Sequence, residues 1–253
     1  MIALSLQSGS NGNCIYVETD GVKLLFDAGI CGIKAETRLK AYGRDIRDVD
    51  ALIISHDHAD HVFYAGVFQR KYGLPIYMTP RTLQRTEREK KIGKLKDVRF
   101  FRSGDNIDFG PVSVRTIPTP HDADDGSAFV LCSGSKRLGI LTDLGHAFEE
   151  LFGVIASLDG VFIESNYDPD MLAKGSYPAF LKRRIQGPGG HLSNREAAEL
   201  LLTGTNLTWA CLAHLSGNNN NPQVALRTHC EILGRRFPLH IAGRNAPSGI
   251  LTL

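Results

Sequence analysis

Residues 56–61 read His-Asp-His-Ala-Asp-His, which places five side chains able to bind metal in six positions. Imidazole nitrogens two residues apart can project from one tight loop toward one ion. Asp60 and His61, next along the same loop, can hold a neighbouring ion. The cluster therefore suits two metals. It follows Asp50 to Ser55 (DALIIS), an apolar run that reads as a buried strand ending at the first histidine. A merely solvated His/Asp loop would have no use for that strand.

These residues resemble the His-x-His-x-Asp-His signature of the metallo-β-lactamase superfamily. The resemblance implies an α/β (α+β) fold, a four-layer αβ/βα sandwich of two mixed sheets flanked by helices. It also implies more ligands at strand ends downstream, and the sequence has a candidate at each place. Thr119-Pro120-His121-Asp122 follows the strand Val112 to Ile117, Thr142-Asp143 closes the strand Leu138 to Leu141, and Ala213-His214-Leu215-Ser216 ends the strand that starts at Trp209. By that carry-over His56, His58 and His121 hold one metal and Asp60, His61 and His214 the other. Asp143 then bridges the two with a water or hydroxide, and Asp60 counts among the catalytic residues as well as the ligands. Asp57, between two ligands, is expected to face away. Zinc is the first expectation for both ions and manganese the alternative, because these ligands suit both.

Ile163-Glu164-Ser165-Asn166 after a strand and Gly190-His191-Leu192-Ser193 before a helix resemble the glutamate and histidine of the ribonuclease Z-like phosphodiesterase branch. A carboxylate can orient an imidazole and raise its pKa, which makes Glu164 and His191 the expected general-acid pair. Ser193 and Glu196 form a Ser-x-x-Glu capping box, and the helix start beside His191 is a place for a phosphate, with Ser193 and Asn194 as contacts. Lys182, Arg183 and Arg184 stand just before it. Arg81 to Lys96, with seven basic and two acidic residues, is a second candidate for backbone contact.

Over nearly its full length the chain resembles the YycJ/WalJ-type group, relatives of the PhnP-like phosphodiesterases proposed as exonucleases. The opening SGSNGNC, the HDHADH cluster, GHLSN and AHLSGNNN carry that likeness. It implies a dinuclear metal-dependent phosphodiesterase, a nuclease of exonuclease type acting on DNA or RNA through a metal-bridging hydroxide. Only 21 residues separate His121 from Asp143 and 70 separate Asp143 from His214, so neither the long tRNA-gripping arm of ribonuclease Z nor an inserted domain fits. Two other readings stay open. The same metals would hydrolyse a small ester, thioester or lactone without Glu164 and His191; a non-catalytic metal-binding scaffold would call for a lost ligand.

The elements that must position these groups follow from periodicity. Ile2 to Leu6, Cys14 to Glu18 and Val22 to Phe26 read as strands, and Thr19-Asp20-Gly21 carries a hairpin signal. Helices are expected at Lys34 to Tyr42, Val62 to Tyr72, Phe148 to Ala156, Arg195 to Leu202 and Gln223 to Leu233. Further strands are expected at Pro75 to Met78, Val98 to Phe101, Ala128 to Cys132, Val161 to Glu164 and Ile250 to Leu253. No low-complexity linker divides the chain, so residues 1–253 are read as one domain. At 42% hydrophobic and 22% charged it is an ordinary globular composition, long enough to bury a core without structural metal. A net charge of +2 indicates neither nucleic acid nor membrane by itself. The start has no basic residue ahead of its apolar stretch, which Ser and Gly interrupt; the protein is read as cytoplasmic, without a membrane partner. Five scattered cysteines without a Cys-x-x-Cys pair argue against a disulfide framework or a thiolate zinc site.

Overall fold

The computed structural model describes residues 1–89, 92–234 and 236–253. Strands β1 (Ile2–Gln7), β2 (Cys14–Thr19), β3 (Val22–Phe26), β4 (Ala51–Ile53), β5 (Ile76–Met78) and β6 (Val98–Phe100) form one sheet in that order. Strands β7 (Asn106–Phe109), β8 (Val112–Pro118), β9 (Ser127–Ser133), β10 (Lys136–Leu141), β11 (Gly160–Glu164), β12 (Trp209–Ala213) and β13 (Leu239–Ile241) form the other. The final strand, β14 (Leu251–Thr252), pairs antiparallel with β1. Each sheet is mixed. Pairing is antiparallel from β1 to β3 and from β7 to β10, then parallel from β3 to β6 and from β10 to β13.

Strand period sorts the side chains between two interfaces. In β3, Leu24 and Phe26 face the other sheet while Leu25 faces helices, so both faces are buried and the strand is apolar from Leu24 onward. Phe26 meets Phe129 of β9 across the sandwich with ring centroids 5.1 Å apart. Helices α1 (Gly32–Lys40) and α3 (Ala65–Tyr72) cover the first sheet through Leu39 and Phe68. The second sheet is covered by α5 (Glu149–Ala156), α8 (Asn194–Leu201) and α9 (Pro222–Leu233), through residues such as Ile155, Leu200 and Leu233. Helix, sheet, sheet, helix are the four layers expected.

The hairpin reading holds: β2 and β3 pair antiparallel through Asp20 and Gly21, both at positive φ. The helix expected over Val62 to Tyr72 is instead two, α2 (Ala59–Val62) and α3, because Tyr64 donates its N–H to Ala28 O rather than to a helical carbonyl. Periodicity did not indicate β7, β13 or α6 (Pro169–Lys174), which are short, nor α4 (Pro80–Arg88), whose polar sequence carries no apolar stripe beyond Leu83. The basic run before Gly187 forms α7 (Ala179–Gln186). All five cysteines are free thiols, with Cys14 and Cys211 buried and their pKa values pushed up by that burial. Among the described residues no helix is long and apolar enough to cross a membrane.

Candidate metal centre

The site forms at the carboxyl ends of β3, β4, β8, β10, β11 and β12. His56 and His58 lie just past β4, His121 just past β8 and Asp143 just past β10; Glu164 ends β11 and His214 follows β12. In open parallel sheets this edge is where strand dipoles and loops leave a crevice. Backbone strain concentrates there. Asp27, Asp143 and His214 adopt φ of 65°, 54° and 55°, a left-handed region that non-glycine residues hold only when surrounding contacts enforce it. Gly29 lets the loop after β3 press on the histidine loop, since a β-carbon there would stand 1.7 Å from Asp60 O.

The donor atoms form several close sets, two of which share no residue. Those of His56, His58 and His121 lie within 4.8 Å of one another, and so do those of Asp60, His61 and His214. Asp143 stands between. Its Oδ2 is 3.1 Å from His61 Nε2, while its Oδ1 is 3.6 Å from His121 Nε2 and 3.3 Å from His214 Nδ1. His56 Nε2 and Asp143 Oδ2 are buried and accept or donate no hydrogen bond. Buried polar atoms are rarely left so. Several donors aimed at a common point, two of them orphaned, is the arrangement expected around a cation, and the residues present fit one. Asp57 faces away as expected: its Oδ1 accepts the Asp124 N–H, and Arg85 lies 3.7 Å from its Oδ2.

Charge divides the site in two. Burial holds His56 well below the ordinary histidine value, helped by the charge of His61, and burial with His121 lowers His58. Burial alone would also lower His61 and His214. Asp143 overrides it in both, aided by Asp27 and Asp60 at His61 and by Asp60 and Glu164 at His214, so His61 rises well above the ordinary value and His214 to about 10. The carboxylates mirror this: burial would raise Asp60, Asp143 and Glu164, but the imidazoles pull all three down, Glu164 to about 2 through His191. Four acidic side chains, with Asp27, thus surround two imidazoles that take up protons when nothing else supplies positive charge. A divalent cation answers the same demand.

A sequence profile described as "Metallo-beta-lactamase superfamily" matches residues 8–197. The chain belongs to the metallo-β-lactamase superfamily. It is 37% identical over 227 residues to exodeoxyribonuclease WalJ of Streptococcus pneumoniae serotype 2, covering 88% of this chain and 84% of that protein. It is 34% identical over 258 residues to exodeoxyribonuclease YycJ of Bacillus anthracis, covering 97% and 96%. The crystal structure of the metallo-beta-lactamase fold protein YhfI from Bacillus subtilis matches over the full length of both chains, with a TM-score of 0.76 at 16% identity. As a member of this superfamily the chain is a metal-dependent hydrolase.

Around the superfamily cluster lie residues that the sequence did not single out. Asp27 Oδ2 takes the Nδ1–H of His61 at 2.7 Å, and its other oxygen accepts the N–H and hydroxyl of Ser55 at 2.8 and 2.9 Å. That contact points His61 Nε2 into the site. Gly190 O does the same for His121 through Nδ1 at 2.8 Å. Asn13 Nδ2, from the opening SGSNGNC, lies 3.0 Å from His61 Nε2. A polar residue at a strand end was the available signal for Asp27, and it is a weak one.

Glu164 and His191 meet as expected. Glu164 is fully buried; Oε1 accepts from His191 Nδ1 at 2.6 Å, and Oε2 accepts the N–H groups of Leu144 and Leu192 at 3.1 Å each. The two His-Leu-Ser copies flank this strand end, since Asn166 donates its N–H to Leu192 O and accepts that of Ser216. His191 lines a cleft of about 340 Å³ with His58, Asp60, Asp143 and His214, walled on one side by Tyr177, Leu181 and Arg184.

The expected phosphate contacts are largely corrected. Ser193 and Glu196 complete the capping box and the Asn194 N–H goes to Tyr167 O, so these three donors of the helix start are already taken. Asn194 is fully buried, bonded to Ser165 and Asn220. Lys182 reaches back to Ala173 O, and Arg183 does not line the cleft. Arg184 does line it, but its guanidinium is held by Asp122 at 2.5 Å. In the segment Arg81 to Lys96, Arg81 and Arg85 pair with acids and no described residue lines the cleft; Lys90 and Lys91 lie outside the described residues.

Proposed function

We propose that this chain is a dinuclear metal-dependent phosphodiesterase that cleaves DNA as an exonuclease. The observation that carries the reading is the Glu164–His191 pair, 2.6 Å apart, opening onto the same cleft as two donor triads, with Asp143 3.1 Å from His61 of one and 3.6 Å from His121 of the other. His56, His58 and His121 would hold one ion, Asp60, His61 and His214 the other, with Asp143 toward both. Zinc is the ion proposed, with manganese the alternative. Such ions supply Lewis acidity toward a phosphoryl oxygen and lower the pKa of a water.

What they lack is a proton for the leaving oxygen. Glu164 fixes the His191 ring by its Nδ1–H, and His191 Nε2, which bonds to no described residue, gives its proton to that oxygen. With Nδ1 bonded to Glu164, Nε2 is the nitrogen left to face the leaving oxygen. Glu164 itself is sealed from the cleft and reaches the reaction through His191, while the same Oε1 lies 3.3 Å from His214 Nδ1. A thioester has a leaving group with less need of this donor, and for an ester, thioester or lactone no described residue offers a specific partner. A scaffold role is disfavoured because all seven donors are present. The relatives named exodeoxyribonuclease favour DNA over RNA and a terminal attack over an internal one. The cytoplasm, where the substrate resides, is the proposed compartment.

The test is product analysis with metal-loaded protein and end-labelled single- and double-stranded DNA and RNA. Mononucleotides released from one end of DNA are expected; internal fragments would refute the exonuclease mode, and no cleavage the nucleic-acid reading. His191→Ala should cut kcat by about 10²- to 10⁴-fold.

A further inference from the structure

Nucleic acid brings a phosphate on either side of the one being cut, and the cleft is short of cations to meet them. Of the residues that line it, Arg184 is the one with a permanent positive charge, and Asp122 already holds that charge. Arg244 is not itself a lining residue but touches the segments that are. Its Nη1 donates to Leu215 O at 2.8 Å and approaches Ser10 Oγ at 3.4 Å, and both Ser10 and the neighbouring Ser216 line the cleft.

Three features mark this guanidinium as prepared for an anion. Among the described residues no carboxylate lies within ion-pair distance of it, although it is half-buried and a charge in that position favours a counter-charge. Its Nε and Nη2, which form one donor edge of the fork, bond to no described residue. That edge matches two oxygens of a phosphate. Third, Gly217 lets the guanidinium lie flat against the chain, because a β-carbon there would press on its face. A β-carbon there would stand 3.2 Å from Cζ and Nη2 and 3.3 Å from Nε, yet Gly217 has no positive φ to require glycine.

The segment carrying Arg244 is also fixed in place. Ser8 N–H donates to Gly243 O, Asn11 Nδ2 to Arg244 O and Arg38 Nη2 to Asn245 O. A guanidinium held on a pinned loop loses little freedom on binding, which is what a positioning contact needs. Pinning the Leu215 loop beside His214 would use Nη1 alone and leave the charge and the free edge without purpose.

We infer that Arg244 grips, through Nε and Nη2, a backbone phosphate next to the one being cut; this rests on the nucleic-acid reading above. Arg244 is thus a substrate-positioning residue, and the strand lies across the lip formed by Ser10, Ser216 and Gly217.

The experiment measures binding of the metal-loaded protein to a fluorescent single-stranded DNA with phosphorothioate linkages that resist cleavage, over a salt series, alongside kcat and KM on the ordinary oligonucleotide. Arg244→Gln should raise Kd and KM about tenfold with little change in kcat, and flatten the slope of log Kd against log salt by about 0.7. Arg244→Lys should restore the slope but not the full affinity. Gly217→Ala, which keeps the arginine, should weaken binding in the same direction, and Arg227→Gln on exposed α9 should match the wild type.

A merely structural Arg244 would instead lower kcat and metal content while leaving the salt slope as it was, and that result overturns the inference. So does wild-type binding by Arg244→Gln. If the wild-type protein cleaves bis(p-nitrophenyl) phosphate but neither binds nor cleaves any oligonucleotide, the nucleic-acid reading falls together with this one. Cleavage by the wild type with an indifferent Arg244→Gln removes this one alone.

Discussion

Replacing Asp27 by Asn tests the division of the site into two halves, because Asp27 touches His61 and no other proposed ligand. The native carboxylate accepts His61 Nδ1–H at 2.7 Å and the Ser55 N–H and hydroxyl at 2.8 and 2.9 Å. Asparagine can keep the Ser55 contacts through its carbonyl and tolerates the left-handed φ of 65°. What it presents to His61 is an NH₂. Two donors cannot face each other, so His61 must move its proton to Nε2, the nitrogen that faces Asp143 at 3.1 Å. That blocks the lone pair the second ion needs. Losing such an outer contact typically weakens metal affinity about 10- to 100-fold, roughly 1.4 to 2.7 kcal/mol. Chelator competition with the apo-protein should then show one equivalent bound as in the wild type, at His56, His58 and His121, and one weakened by that factor. Two equivalents of unchanged affinity, or two weakened alike, would refute the reasoning.

Other expectations follow from the same geometry. In metal-free protein His61 and His214 hold protons that a metal displaces, so metal addition near pH 8 in weak buffer should release close to two protons per chain, read with an indicator dye; release of none contradicts the charge assignment. The His214 value is raised from 6.5 to about 10, so its contribution to stability is full below pH 6.5 and lost as pH rises through 10. The denaturation midpoint of the metal-free protein should fall across that window, and a flat profile would count against it. Glu164→Gln keeps the shape but faces two N–H donors with an amide; a kcat loss of about 10- to 100-fold in steady-state kinetics and a stability loss of about 1 to 3 kcal/mol by denaturation are expected. Asp57→Ala should cost about 1 to 3 kcal/mol through the Asp124 N–H yet leave two metals bound, which elemental analysis would check.

The cluster at 56–61 was legible because its ligands are local, and an apolar strand before them announces a strand end. His121, Asp143 and His214 became legible through the pattern of strand ends that the superfamily resemblance supplies. Asp27 stayed hidden because its role comes from pairing β3 with β4, which brings it to a histidine 34 residues away. Asn194 misled for the matching reason: as a residue at a helix start it read as a phosphate contact, but Asn220, 26 residues on, buries and engages it. Basic runs misled too, since Arg184 and Arg85 find acidic partners only in three dimensions. Arg244 lies among Gly, Asn and Ser without any run at all, and its place at the cleft arises from chain-terminal segments folding back on residues 8–11.

The proposed chemistry depends on two ions held by seven named side chains. A crystal of the metal-loaded protein, measured on both sides of the metal absorption edge, tests it most directly. Two anomalous peaks about 3.5 to 4 Å apart are expected, one among His56, His58 and His121 and one among Asp60, His61 and His214, with Asp143 between them. A single peak, or one seated among Asp143, Glu164, His191 and His214, would contradict it.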